Sequence, residues 1–135
     1  MKEAKAILRS YRMGPRKMRL LADLVRGRRL VDALERLSLA NKKAARVLFK
    51  LLKSAAANAK SAHSLEPENL RVKTIFVDGG AVLKRWMPRA HGRATPIRER
   101  TSSVTVVLEE TVTPEKKKKE KKEKAAKPIK KSAKK

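Results

Sequence analysis

The chain has 135 residues, enough for one small domain with extensions, and carries 37 Lys and Arg against 13 Asp and Glu, a formal net charge of +24. A body this basic repels itself until a polyanion neutralises it, which points to nucleic acid or, as the alternative, to an anionic membrane surface. Cysteine is absent, excluding disulfides and thiolate metal sites, and aromatic residues make up only 3%.

The opening stretch MKEAKAILRSYR has neither the apolar core nor the small-residue cleavage site of a secretory signal. Apolar runs fall far short of the roughly 20 residues that span a bilayer. A soluble intracellular protein is expected, and the lack of a transit segment favours a bacterial over an organellar source.

Residues 3–11 read as a strand. Gly14-Pro15 breaks the chain and places Pro at the first helical position, where its missing N–H costs nothing. Met18, Leu21, Ala22 and Val25 then recur at helical spacing and Gly27 is a natural stop, which predicts a helix over 15–26. A second helix is expected over about 31–38, with Leu30, Ala33, Leu34 and Leu37 on one face. Asn41 is the expected N-cap of a third. That helix presents Ala44, Ala45, Leu48, Leu51, Leu52, Ala55 and Ala59 on one face and Lys42, Lys43, Arg46, Lys50, Lys53 and Lys60 elsewhere. At ~1.5 Å per residue it makes a rod of roughly 30 Å, the spine of the domain.

Pro67 closes the next loop. Leu70, Val72, Thr74 and Phe76 alternate with Arg71, Lys73, Ile75 and Val77, as in a strand, and Phe49 and Phe76 are expected in the core. A second clear strand covers residues 103–108. Between them lies a basic arm, about residues 79–103. If the flanking strands pair antiparallel with Asp78 opposite Val104, the midpoint falls at His91, beside Gly92, the arm's only interior glycine and the natural turn residue. Each limb is then about 12 residues, or roughly 40 Å.

Such a ribbon is marginal alone, and Pro88 and Pro96 each remove a ladder donor. The arm carries Lys84, Arg85, Arg89, Arg93, Arg98 and Arg100 against the single acid Glu99. An anionic, shaped partner must complete it, and folded RNA fits. Arginine forks bridge crowded phosphates, while Trp86 or His91 can stack on an unpaired base. Arg9, Arg12, Arg16, Lys17 and Arg19 surround a helix start, itself a phosphate-favouring place. Residues 1–113 are therefore expected to form an RNA-binding domain. Residues 114–135, a Lys-rich run without core-forming content, are expected to be a disordered tail.

Catalysis finds no footing. Asp23, Asp32, Glu35 and Asp78 form no spaced acid/base pair, and Gly79-Gly80 lacks the strand-to-helix context of a nucleotide loop. His63 and His91 are too isolated to build a metal site, and no cofactor is implied. Two alternatives belong to other classes. A histone-like or architectural DNA binder with a hairpin arm would normally dimerise, and no seam is evident. A membrane-active cationic domain would need interfacial aromatics that this chain lacks.

Four blocks carry a resemblance: PRKMRLLADLVRGR at 15–28, NKKAARVLFKLLKSAAANA at 41–59, KTIFVDGG at 73–80 and LKRWMPRAHGRATPIRERTS at 83–102. From about Ala4 to Leu108 the chain resembles the bacterial large-subunit ribosomal protein L twenty-two family. The resemblance implies an α+β fold of three helices packed on a three-stranded antiparallel sheet, with a long protruding β-hairpin. It also implies a monomer within the cytoplasmic ribosome, bound to large-subunit ribosomal RNA and neighbouring ribosomal proteins and not to a membrane.

In that family the body sits near the outlet of the peptide tunnel, and the hairpin threads between RNA domains to line the tunnel beside the nascent polypeptide. Here the corresponding tip is Trp86, Met87, Pro88, Arg89, Ala90, His91, Gly92 and Arg93. Leu83-Lys84-Arg85 matches the motif where changes alter macrolide susceptibility. Gly79-Gly80, Trp86, His91 and Thr95-Pro96 depart from the family pattern.

Overall fold

The computed structural model describes residues 2–111; the tail expected at 114–135 lies outside the described residues. In chain order the elements are β1 (Glu3–Tyr11), α1 (Pro15–Val25), α2 (Leu30–Leu39), α3 (Lys43–His63), β2 (Leu70–Pro88) and β3 (Ala94–Glu110). The strands form one antiparallel sheet in the order β1-β3-β2, so the last strand lies in the middle. Three helices cover one face of its lower half; the upper half of β2 and β3 projects as the arm. The expected fold class is the observed one.

Helical spacing decides the core. α1 buries Met18, Leu21, Ala22 and Val25, and α2 buries Leu30, Ala33 and Leu37. α3 buries all seven residues of its expected face. From the sheet, Ala4 and Ala6 of β1, Leu70, Val72, Ile75 and Val77 of β2, and Val104, Val106 and Leu108 of β3 meet them. Each fully buried Leu or Val contributes about 1.5–3 kcal/mol of transfer free energy. Small residues set the spacing where α3 crosses β1, since Ala55 and Ala59 on one side and Ala4 and Ala6 on the other let the backbones approach.

Helix ends follow local chemistry. Pro15 opens α1, and Gly27 takes a left-handed φ of 71° just past its end. The Gly27 N–H donates to the Val72 carbonyl at 3.1 Å and the Val72 N–H to the Arg28 carbonyl at 2.9 Å, tying the helix end to β2. α3 ends in an αL cap. Ser64 is left-handed at φ 53°, its N–H donates to the Lys60 carbonyl at 2.9 Å, and the Leu65 N–H donates to the Ala59 carbonyl at 3.3 Å. Asn41 is not the N-cap of α3. The Lys42 N–H closes a tight turn onto the Ala40 carbonyl at 2.8 Å, so the helix starts at Lys43, with Lys42 as cap residue and Asn41 outside the first turn.

Two irregularities in β2 correct the strand reading. Val72 pairs with Leu108 but Thr74 with Val107, so Lys73 is an extra residue and the inward parity flips. Leu70 and Val72 point into the core before the bulge, Ile75 and Val77 after it. Phe76 therefore lies on the outer face, 54% exposed, and is not core; Phe49 is partly buried against the core as expected. Asp78 faces Ser103 and not Val104, because the bulge carries the register to one residue short of that pairing.

The second bulge stands at the root of the arm. Gly79 pairs with Ser102 and Val82 with Arg100, which leaves Gly80 and Ala81 opposite Thr101 alone. The Thr101 hydroxyl donates to the Ala81 carbonyl at 2.6 Å. A Cβ on Gly80 would sit 2.4 Å from that same oxygen, so this position accepts only glycine without movement. The extra residue restores the centre of the arm to His91.

Candidate nucleic-acid interface

Beyond the root, every residue from 81 to 98 is exposed, so the arm reaches about 30 Å past the body at ~3.3 Å per residue. Directly opposite residues of an antiparallel ladder point to the same side. One side of the arm thus carries Val82 with Arg100, Lys84 with Arg98, Trp86 with Pro96, and Pro88 with Ala94. The other carries Leu83 with Glu99, Arg85 with Ile97, and Met87 with Thr95.

This division separates charge. Lys84 and Arg98 face each other directly, and like charges so placed destabilise a ladder. The acid Glu99 gives them no relief, because it belongs to the opposite side and its Oε2 accepts from Arg12 Nη2 at 2.7 Å. That ion pair is solvent-exposed and worth at most about 1 kcal/mol, but it pins the arm's root to the chain entering α1.

At the same root Arg12, Lys17 and Arg100 line one cleft with the paired Glu99, beside Gly14 and Thr101. The start of α1 adds to its positive potential, since its first turn has no acid and no capping side chain. Of the bases expected around this helix start, Arg12 and Lys17 are brought to the arm. Arg16 is exposed on the first turn outside the cleft wall, and Arg9 is exposed on β1. Arg19 is committed to the fold: its Nε and Nη2 donate to the Val77 carbonyl at 3.3 and 3.1 Å. Arg26 acts similarly, bridging Asp23 and the Ile75 carbonyl.

The arm turns over a single 3-10 turn, Ala90–Gly92, inside a loop closed by the Arg89 N–H donating to the Arg93 carbonyl at 2.7 Å. Gly92 takes φ 67°, as its type allows, and His91 also sits in the left-handed region at φ 58°. The turn is where sequence symmetry put it. Arg89 Nε reaches Thr95 Oγ1 at 3.3 Å, leaving Trp86, His91 and Arg93 exposed about the tip.

Sequence reasoning missed a second basic surface with an apolar floor. Lys42, Arg46, Lys50 and Lys53 border a groove between α2 and α3 floored by Leu37 and Phe49, with Lys53 Nζ 4.7 Å from the Phe49 ring centroid. Leu39 stands 85% exposed at its edge. The charge on α3 was legible; the groove depends on how α2 docks.

Among the described residues no group of three His, Cys, Asp or Glu could hold a metal ion. No described helix is long and apolar enough to cross a membrane. The family model described as ribosomal protein L22p/L17e matches residues 6–109, the arm and nearly all of the body. The chain belongs to this family.

Among its L22p/L17e relatives, the large ribosomal subunit protein uL22 of Trichlorobacter lovleyi is 53% identical over 111 residues, covering 82% of this chain and 98% of that protein. The uL22 of Herpetosiphon aurantiacus is 51% identical over 108 residues, with 80% and 96% covered. That of Thermus thermophilus is 50% identical over 108 residues, with the same coverage. L22p/L17e proteins are structural components, not enzymes.

Proposed function

We propose that this protein is a structural, RNA-binding constituent of the large ribosomal subunit. Its body docks on large-subunit ribosomal RNA among neighbouring ribosomal proteins in the cytoplasm. Its arm enters the folded RNA and assists assembly, and its tip, residues 86–93, stands in the wall of the nascent-peptide exit tunnel beside the growing chain. Family membership supports the coarse statement.

One observation carries the finer one. Lys84 opposes Arg98 on an exposed ribbon side with no carboxylate on it, and this pairing becomes favourable only when an anion stands against it. Lys17 and Arg100 extend the positive surface to the body, and Arg85, Arg89 and Arg93 continue it on the opposite side and around the turn. Arginine suits this place, because its rigid donor fork can bridge phosphates brought close by RNA folding.

Site-specific photocrosslinking from Ala90 in assembled, translating subunits tests the reading. Products with both large-subunit RNA and the nascent chain are expected. Crosslinks to neither, in particles that contain the protein, refute tunnel placement.

A further inference from the structure

We propose that Trp86 is a base-stacking platform, taking one unpaired nucleotide of the large-subunit RNA whose backbone lies against Lys84 and Arg98. The inference rests on the reading that the arm enters that RNA. It assigns a role that periodicity alone could not, because it depends on the register of β2 against β3.

Trp86 is 67% exposed, an unusual position for the largest apolar side chain in a protein this poor in aromatics. Burial does not explain it, since every residue around it on the arm is exposed as well. The ladder places it opposite Pro96 and one step tipward of the Lys84–Arg98 pair on the same side. A step of two residues along a strand is roughly 6.6 Å, the scale on which a base and its own backbone are separated.

Among the described residues a cation covers a ring only at Phe49, so the indole of Trp86 is open to a ligand. Tryptophan is stiff, with two side-chain torsions, and proline is its cross-strand neighbour; the platform loses little entropy when occupied. The opposite side of the arm at this level offers Met87 with Thr95, a pair with no π-face on which a base could stack. A planar, uncovered aromatic beside two unneutralised cations suits a nucleotide, with a π-face for the base and charge for the phosphate. A nascent peptide would gain nothing from the paired cations unless it were acidic.

The chain contains one Trp, so its fluorescence reports this residue alone. Intact protein titrated with a transcript of large-subunit ribosomal RNA should show strong quenching of that emission as the complex forms. Trp86→Phe should keep most of the affinity. Trp86→Ala should weaken binding by roughly 5- to 150-fold, the loss of one stacked base, with the body's melting unchanged. Ile97→Ala, on the other side of the ribbon, should bind nearly as the parent does.

Unchanged emission in a complex that demonstrably forms, or equal affinity of Trp86→Ala, overturns stacking and leaves the RNA reading intact. A crosslinker at position 86 that captures nascent chain and no RNA also overturns it, assigning the indole to the peptide's path. Failure of the intact protein to bind the transcript at all overturns both readings together.

Discussion

Replacing Gly80 with Ala perturbs the arm's root at one atom. The new methyl would lie 2.4 Å from Thr101 Oγ1, while the Thr101 Cβ and carbonyl carbon stand at ordinary van der Waals range, 3.5 and 3.6 Å away. Relief therefore requires the hydroxyl to swing, which breaks its 2.6 Å bond to the Ala81 carbonyl and strands a polar group on a residue that is only 5% exposed. Breaking such a bond costs about 1–3 kcal/mol, and residual overpacking adds about 1 kcal/mol. Reduced freedom of the unfolded chain returns about 0.4–1 kcal/mol. The net expectation is a destabilisation of about 1–3 kcal/mol by chemical denaturation.

A double-mutant cycle decides whether this is the mechanism. Thr101→Ala should itself cost about 1 kcal/mol, and in Gly80→Ala/Thr101→Ala the clash disappears, so the double variant should be no worse than Thr101→Ala alone. Strict additivity, or a Gly80→Ala protein as stable as the parent, would refute the steric account of the bulge.

Removing Lys84 and Arg98 together should lower the salt slope of RNA binding by ~0.7–0.9 for each phosphate that is no longer neutralised, and a slope equal to the parent's would count against phosphate neutralisation by this pair. In the free protein, amide exchange should be fast along the arm beyond Val82, because a two-stranded ribbon interrupted by Pro88 and Pro96 is marginal in water; strong protection there would show an autonomous hairpin. Ser64→Gly should stabilise by about 0.5–1 kcal/mol in thermal melts, since glycine adopts the left-handed cap of α3 without the Cβ penalty. In acid, Lys73 holds the Glu3 carboxyl below its ordinary value chiefly through their hydrogen bond, and Arg29 does the same to Asp32. Both folded values lie below the unfolded ones, so their stabilisation is present above the unfolded pKa and is lost as pH falls through the folded pKa. Glu3→Gln should flatten that decline, and an unchanged acid profile would contradict it.

What the sequence revealed followed periodicity. All three helical faces were legible because Leu and Ala recur at helical spacing against a basic background, and Gly92 marked the turn. The parity of β2 was not legible. Ile75, Phe76 and Val77 are all apolar, so either alternation fits, and nothing in the local sequence announces Lys73 as the extra residue. Asn41 is a good capping residue by type, yet the turn at Ala40 fixed the helix start one position too late for it. Arg19 looked like any other base near a helix start; only tertiary geometry aims it at the Val77 carbonyl. The arm's charge was plain from composition, whereas its two-sidedness needed the strand register.

The bulges fall on β2, with a further irregularity on β1 between Leu8 and Tyr11, while β3 has none. From Leu108 to Ala94 the central strand carries no bulge, so the side that buries Val104, Val106 and Leu108 continues outward, sheet twist aside, as the side bearing Arg100, Arg98 and Pro96. The core thus acts as a compass for the arm. A packing choice made among helices fixes the bearing of a charged surface tens of ångströms away. A residue inserted beside Ser102 would turn the arm residues of β3 tipward of it to the other side. Adding or removing two residues on each limb would keep that bearing.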